Sequence, residues 1–377
     1  MKILHICMTQ YSNGWSYQEN MLAKYHKLAG NDVYVLTSMF CYKEGKLVED
    51  TVNDFIDENG VRVLRLKKKK EGLFGKLPVY NNFEKTIDKI SPDIIFSHGC
   101  QYRDIKYVKK YVQKNKNCKL FVDNHADFSN SGTNLISKYL LHRIIWRHYS
   151  QLIKPYVSKF YGVLPSRVDF LISEYKIPKE NVELLEMGLD DELAIQVENS
   201  LNKELEKEKL GISEDDFVII TGGKIDSAKR ETLDLMRIIN NLNFNIKLLI
   251  FGSIDDELKD EFNALLSKKN IYLGWLNQEA TIKYSLISDI AIFPGRHSVI
   301  WEQMCGLGIP MIVRDWAGTH HVDKGENVIF IKDKNEINDI IIDLMESNLY
   351  IKMKENANSF KKVFYYSEIS KRSIEWQ

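Results

Sequence analysis

The sequence predicts an α/β protein of two doubly wound domains, and three observations carry that expectation. The chain has 377 residues, more than one ordinary core accommodates. Short apolar runs alternate with stretches of helical periodicity from residue 1 onward, the pattern of βαβ units and parallel sheets. Midway, at Phe217, an apolar strand running into a double glycine starts the same rhythm again. Hydrophobic residues at 44% and charged residues at 28% describe a soluble globular chain.

Residues 1–8 read as the first strand, followed by a polar loop containing Gly14. A glycine there lets the backbone come close to a ligand. A helix from about Ser16 to Leu28 then leads through Gly30-Asn31 to the strand Asp32–Thr37. Val61–Leu66 is the next strand and runs into Lys67–Lys70. Pro92–His98 and Lys119–His125 are strands that each end in a histidine at the carboxyl edge.

Residues 134–160 have apolar positions at helical spacing, with Lys138, His142, Arg143, Arg147, His148, Lys154 and Lys159 on the other face. Two readings stand side by side. Such a helix lies on an anionic membrane surface or binds a phosphorylated lipid carrier; or it packs on the sheet as an ordinary surface helix. Lys67–Lys70, with Leu73 and Phe74 nearby, adds a little to the first reading, although four lysines are usually a solvated loop. Residues 196–215 are strongly charged and read as the first helix of the second domain or as a linker.

The second half carries the chemistry. The strand beginning at Phe217 meets Gly222-Gly223, and Lys224, Lys229 and Arg230 follow ahead of a helix. Glycines admit phosphate to the backbone, and cations beside it neutralise a departing diphosphate. The strand Asp289–Phe293 ends in Pro294-Gly295, a short helix follows with Ser298 as its expected N-cap, and Gly306 and Gly308 stop it. Arg296 and His297 add donors to the free backbone N–H groups of that turn. Glu302, one turn into the helix, is expected to face the ligand, where a carboxylate suits two adjacent sugar hydroxyls. Donors for a diphosphate beside an acceptor pair for a ribose describe a nucleotide site at the carboxyl edge of a parallel sheet.

Composition excludes several classes. No apolar run approaches the roughly 20 residues that cross a bilayer, and the start is too short and too quickly polar for a signal peptide. The five cysteines are widely spaced without a CxxC pair, so reduced cytoplasmic thiols are expected rather than a disulfide or zinc framework. Net charge is zero but divided: residues 1–190 hold 29 Lys and Arg against 21 Asp and Glu, and the remainder 23 against 31. A basic first half meets an anionic surface or acceptor, or simply attracts the acidic second half.

Several of these stretches resemble the retaining glycosyltransferases of family 4, the group 1 glycosyl transferases. Residues 293–313 are similar to the second half of that family's Glu-x7-Glu region, with Glu302 at the second Glu and Pro294 where the first would stand. Lys224 and Lys229 are spaced like the Arg and Lys of "GRLxxxKG", with lysine at the first position losing arginine's fork. Pro92–Gly99 and His125–Asp127 resemble the strand ends "PDIIHSHG" and "HD". Ile271–Leu276 is similar to "vxFlGwv", Gly188–Asp190 to "NGVD", and Asp315–Ile331 to the closing "G…dGenG" region.

The resemblance implies the GT-B fold, two Rossmann-like domains facing across a cleft. It divides the chain into residues 1–190 on the acceptor side, 191–359 for the nucleotide sugar, and a helix over 360–377 that crosses back. It implies metal-independent transfer of a sugar, first expected from a UDP-sugar, to a hydroxyl acceptor with the anomeric configuration retained. Lys224, Lys229 and the Ser298 turn would carry the leaving group, with His125 orienting the sugar. Gly14, Gly223, Trp275, Leu276, Arg296, His297 and Glu302 would line the donor. No cofactor beyond the nucleotide-sugar substrate, no metal and no nucleic acid are expected. The acceptor would be a glycan or a lipid-linked carrier in surface polysaccharide synthesis, reached from the cytoplasm at the inner face of an anionic membrane. Two alternatives stay open: a non-catalytic subunit that binds a nucleotide sugar, motivated by Pro294, and a nucleotide-sugar epimerase of the same fold. An epimerase needs carboxylates and histidines for acid–base work, and the sequence displays no such arrangement.

Overall fold

The computed structural model describes residues 1–8, 11–43, 46–72, 77–131, 134–227 and 230–375. They form two compact units, Met1–Met187 with Tyr366–Gln377, and Gly188–Tyr365. The chain therefore leaves the first unit after residue 187 and returns to it at 366.

The first unit is built on eight strands: β1 (Lys2–Cys7), β2 (Asp32–Ser38), β3 (Asp54–Ile56), β4 (Arg62–Leu66), β5 (Ile94–His98), β6 (Lys119–Asn124), β7 (Val157–Gly162) and β8 (Val182–Leu184). Their order across the sheet is β8-β7-β6-β5-β1-β2-β4-β3. Every pairing is parallel except β3 on β4. Parallel strands covered on both faces read as continuous apolar runs, and β1 is buried from Ile3 to Cys7. Successive side chains point to opposite faces. Leu4, Ile6 and Ile95 accordingly pack in one cluster, and Ile3 and Phe96 in another.

The second unit has six strands, all parallel: β9 (Phe217–Gly222), β10 (Ile246–Phe251), β11 (Asn270–Gly274), β12 (Ile290–Phe293), β13 (Met311–Arg314) and β14 (Val328–Ile331). The order β11-β10-β9-β12-β13-β14 is the doubly wound order of dinucleotide-binding sheets. Strand direction of travel reverses between β9 and β12, as it does in the first unit between β1 and β5. Ligands of such sheets settle outside the carboxyl ends at that reversal.

Five helices matter below: α1 (Gln18–Leu28), α2 (Pro165–Ser173), α3 (Glu231–Asn241), α4 (Ile300–Gly306) and α5 (Tyr366–Ser373). Helix α5 belongs to the first unit although it follows the second in sequence. Its Tyr366 and Ile369 join the apolar cluster of Met21, Leu22 and Tyr25 from α1.

Two expected helices are shorter than the sequence implied. The basic segment is helical only through Tyr156, with a π-helix over Ile136–Trp146, an α-helix over Arg147–Ile153 and a 3-10 turn at Lys154–Tyr156. Pro155 withdraws a backbone donor there, and residues 157–160 open β7 instead. The segment exposes Leu135, Tyr139 and Ile144. Its Arg143 and Arg147 are both paired with Glu174. Leu73 and Phe74 lie outside the described residues. The single helix expected over 360–377 is replaced by a 3-10 turn at Lys361–Phe364, an extended Tyr365 bridged to Leu189, and then α5. Among the described residues no helix is long and apolar enough to cross a membrane.

The α1–α5 contact yields a prediction. Ile369, fully buried, should lose about 2–5 kcal/mol of stability on substitution by alanine. Ile351, 55% exposed, should change by less than about 0.5 kcal/mol. Urea unfolding of the two variants checks both values.

Candidate functional site

In the second unit the two loops at the strand reversal carry most of the expected residues. β9 ends in Gly222, and Gly223 follows at φ +128°, a conformation closed to side chains, with open space where a Cβ would stand. Gly252, after β10, passes so near that an added Cβ would lie 1.9 Å from the Gly223 carbonyl oxygen. Lys224 is 53% exposed but not free: its Nζ lies 3.4 Å from Asp226 Oδ2 and 3.2 Å from Asp255 Oδ1. Hydrogen bonding to Asp255, then to Asp226, raises its pKa. Lys229 lies outside the described residues. Trp275 follows β11 with an indole 75% exposed, whereas Leu276 packs into the core.

After β12 the chain turns through Pro294, Gly295 and an exposed Arg296. Trp316 Nε1 donates to the Gly295 carbonyl at 3.3 Å and braces the turn. Ser298 is not the N-cap of α4. That position is Val299, with no side-chain bond, and the Ser298 carbonyl accepts from the Trp301 N–H at 3.0 Å. Nor does Glu302 offer its carboxylate to solvent. It is 0% exposed, and its Oε1 accepts from His297 Nε2 at 2.9 Å and from His321 Nε2 at 2.8 Å. Among the described residues Oε2 has no hydrogen-bond partner, and neither has His321 Nδ1. Burial pushes this carboxyl up, but the two imidazoles outweigh it and hold the pKa at about 2. Where the family pattern expects a carboxylate at Pro294, another approaches from the side. Glu231 Oε2, on the first residue of α3, has no hydrogen-bond partner among the described residues and lies 3.6 Å from the point a Gly295 Cβ would occupy.

In the first unit Gly14, at φ +72°, donates its N–H to Glu58 Oε1 at 2.7 Å. His125 stands just past β6 with its side chain 37% exposed. Its Nε2 lies 3.1 Å from Asp123 Oδ2, and the same oxygen takes His98 Nδ1 at 2.7 Å. Burial alone would raise the Asp123 pKa; His125 and His98 reverse that and keep it well below the carboxylate range. For His125 burial works downward, and Asp123 overcomes it to raise the imidazole above its ordinary value. The Asn130 side chain pins the loop by donating to the His125 carbonyl at 2.8 Å.

Both carboxylate–imidazole trios gather donor atoms within 4.8 Å of one another. Ligands of a tetrahedral zinc ion stand roughly 3.3 Å apart, from metal–nitrogen bonds near 2.05 Å. All the N···O separations, 2.7 to 3.1 Å, are shorter; hydrogen bonding accounts for those of His98, His297 and His321, and His125 Nε2 sits at ion-pair distance from Asp123. Sequence reading overlooked Asp123, His321, Glu231 and Trp316. A carboxylate inside an apolar strand was the available signal for Asp123. His321 had none, because its partner is 19 residues away. The arrangement supplies what the sequence did not display: in each unit, an imidazole pair on a buried carboxylate at the sheet's carboxyl edge.

Glu302 is therefore a structural group as well as a candidate ligand contact. Glu302→Ala should cost about 1–3 kcal/mol for each imidazole N–H left without an acceptor, read by urea unfolding at pH 7. The folded pKa lies below the ordinary 4.5, so the stabilisation is complete above that value and lost as the pH falls from there toward about 2. The stability gap between wild type and Glu302→Gln should close over the same interval.

Residues 202–360 match the family described as glycosyl transferases group 1. Solved structures share the fold over almost the whole chain. A glycosyltransferase from Rickettsia africae is 16% identical, with 99% of this chain and 96% of that one covered and a TM-score of 0.69. HepE of Anabaena in complex with UDP is 13% identical over 99% and 98%, at a TM-score of 0.67. The UDP-GlcNAc 2-epimerase of Neisseria meningitidis bound to UDP-GlcNAc is 13% identical over 99% and 99%, at 0.62. No curated protein sequence matches. The chain thus carries, over residues 202–360, a segment that matches the glycosyl transferases group 1, on a GT-B fold of two Rossmann-like units.

Proposed function

We propose that the chain transfers a sugar from a UDP-sugar to an acceptor hydroxyl with the anomeric configuration retained. The observation that carries this is the pairing of two loops at the strand reversal of the second unit. The Gly222–Lys224 loop after β9 and the Pro294–Ser298 loop after β12 both fall inside the family match. Support for uridine comes from HepE, whose structures hold UDP and UDP-glucose.

The reaction asks little covalent chemistry of a protein. It needs positive charge and backbone N–H groups for the departing diphosphate, and an acceptor held on the same face as the leaving group. Cationic side chains fill the first role in this proposal, without a metal. Arg296 is exposed beside the turn, Lys229 follows the glycine loop, and Lys224 exchanges Asp226 and Asp255 for phosphate oxygens. Trp275 offers an exposed face to the base, and His125 reaches the sugar. We place the acceptor, a glycan or lipid-linked carrier of surface polysaccharide synthesis, on the first unit. The exposed Leu135, Tyr139 and Ile144 beside the basic segment support peripheral contact with an anionic membrane.

An epimerase is the second reading, favoured by one observation: the two carboxylate–imidazole trios are acid–base groups at the sheet edges. A third is a binding subunit without turnover.

Thermal shift against uridine, guanosine, adenosine and cytidine diphosphates tests the donor. UDP at about a hundred times its Kd should stabilise the protein by roughly 2.7 kcal/mol. Arg296→Ala and Lys224→Ala, both at exposed positions, should weaken that shift without lowering the unliganded Tm. Glu302→Ala is unsuitable because it disturbs the fold. Incubation with UDP-sugar then separates the readings. Release of UDP and sugar with the original anomer identifies the transferase, a configurational change at another ring carbon the epimerase, and no turnover the subunit. In the transferase, Arg296→Ala should lower kcat/KM about 10- to 100-fold, the worth of one charged hydrogen bond.

A further inference from the structure

A file of four histidines and one aspartate runs through the core of the first unit. It starts at His125 on Asp123 Oδ2 at 3.1 Å, and passes from that oxygen to His98 Nδ1 at 2.7 Å. His98 Nε2 is 3.0 Å from His5 Nδ1, and His5 Nε2 is 3.0 Å from His26 Nδ1. His26 Nε2 ends the file on α5, 3.0 Å from the Ser370 carbonyl oxygen and 3.1 Å from Ser373 Oγ. His5 and His26 are fully buried, and His98 and Asp123 nearly so.

The far end fixes the direction of every bond. A backbone carbonyl only accepts, so His26 Nε2 carries hydrogen. The Ser373 hydroxyl already donates to that same carbonyl at 2.7 Å. Burial pulls the His26 pKa down to about 4 and that of His5 well below its ordinary value, so both rings are neutral at pH 7. Neutral His26 then has a bare Nδ1, which accepts from His5 Nε2–H. Neutral His5 likewise has a bare Nδ1, which accepts from His98 Nε2–H. His98 thus spends one hydrogen on His5, and its Nδ1 still faces a carboxylate, which also only accepts.

We propose that the file has this single polarity and holds its extra proton on His98, so that His5, His26 and His98 are positioning residues that keep Asp123 ionised, its charge balanced, and thereby set the charge of His125. With His98 an imidazolium, Asp123 is already neutralised and draws less on His125. Were His98 neutral, the same carboxylate would pull the proton onto His125 instead. Among the described residues, Glu19 on α1 also faces His125 and raises its pKa, and Arg167 on α2 lowers it. The part His125 plays toward a sugar rests on the proposed function, whereas the polarity of the file does not.

Ring-nitrogen spectra of the 15N-labelled full chain, recorded without substrate, read each protonation state. At pH 7 wild type should show His5 and His26 as neutral Nε2–H tautomers and His98 protonated on both nitrogens. A neutral His98, or His5 as the Nδ1–H tautomer, overturns the proposal before any variant is made. His26→Leu removes the acceptor for His5 Nε2–H and lets His5 reverse. His98 should then become neutral and the His125 midpoint rise by about one pH unit, the lower end of what an unbalanced carboxylate does. His26→Gln keeps an amide donor toward Ser370 and an oxygen acceptor toward His5, and should retain the wild-type spectrum. Unchanged His98 and His125 signals in a folded His26→Leu protein refute the coupling. Because no nucleotide sugar enters the experiment, a failed transferase assay leaves this result standing.

Discussion

A buried carboxylate has to be met by donors, and that requirement organises both candidate sites. Removing a charge from water costs several kcal/mol unless good geometry repays it. Each unit solves the problem in the same way: one carboxylate oxygen, Asp123 Oδ2 or Glu302 Oε1, takes two imidazole nitrogens. The remaining oxygen has no hydrogen-bond partner among the described residues in either case. These trios hold the ends of β5 and β6 in the first unit, and tie α4 to the turns on either side of it in the second. The loops that would touch a ligand are therefore anchored by the same carboxylates that orient the histidines beside it.

The two trios differ in what lies behind them. Glu302 is bounded by histidines that stop there, so its charge is a local matter. Asp123 is joined through His98, His5 and His26 to a carbonyl on α5, so hydrogen positions in the middle of the unit are dictated from its edge. Neighbouring charge gives the same downward displacement of both carboxyl pKa values. Similar electrostatics thus arises from one pair of local donors and from one long file.

Much of the fold was legible because parallel sheets announce themselves through apolar runs and glycine turns. The strands at Ile94, Lys119, Phe217 and Ile290 sit where the sequence put them, within two residues. Helix limits were less legible around Pro155 and Tyr365, where tertiary pairing with β6 and with Leu189 overrode helical spacing. At the site, Gly223, Arg296 and Trp275 lie at carboxyl edges because their positions follow from topology alone. The surroundings of Glu302 and Lys224 were not legible. Whether a carboxylate faces solvent or two histidines, and whether a lysine is free or paired, depends on residues far off in sequence such as His321 and Asp255.

The return of α5 to the first unit also orders events during synthesis. Tyr366, Ile369 and the Ser370 carbonyl complete the packing and polarity of a unit whose other residues end at Met187. A ribosome making about 5–20 residues each second must produce the whole second unit before those residues emerge. The first unit waits for that interval with the α1 face uncovered and His26 without its acceptor. The later-started unit, whose residues are contiguous, is the first to be complete in sequence.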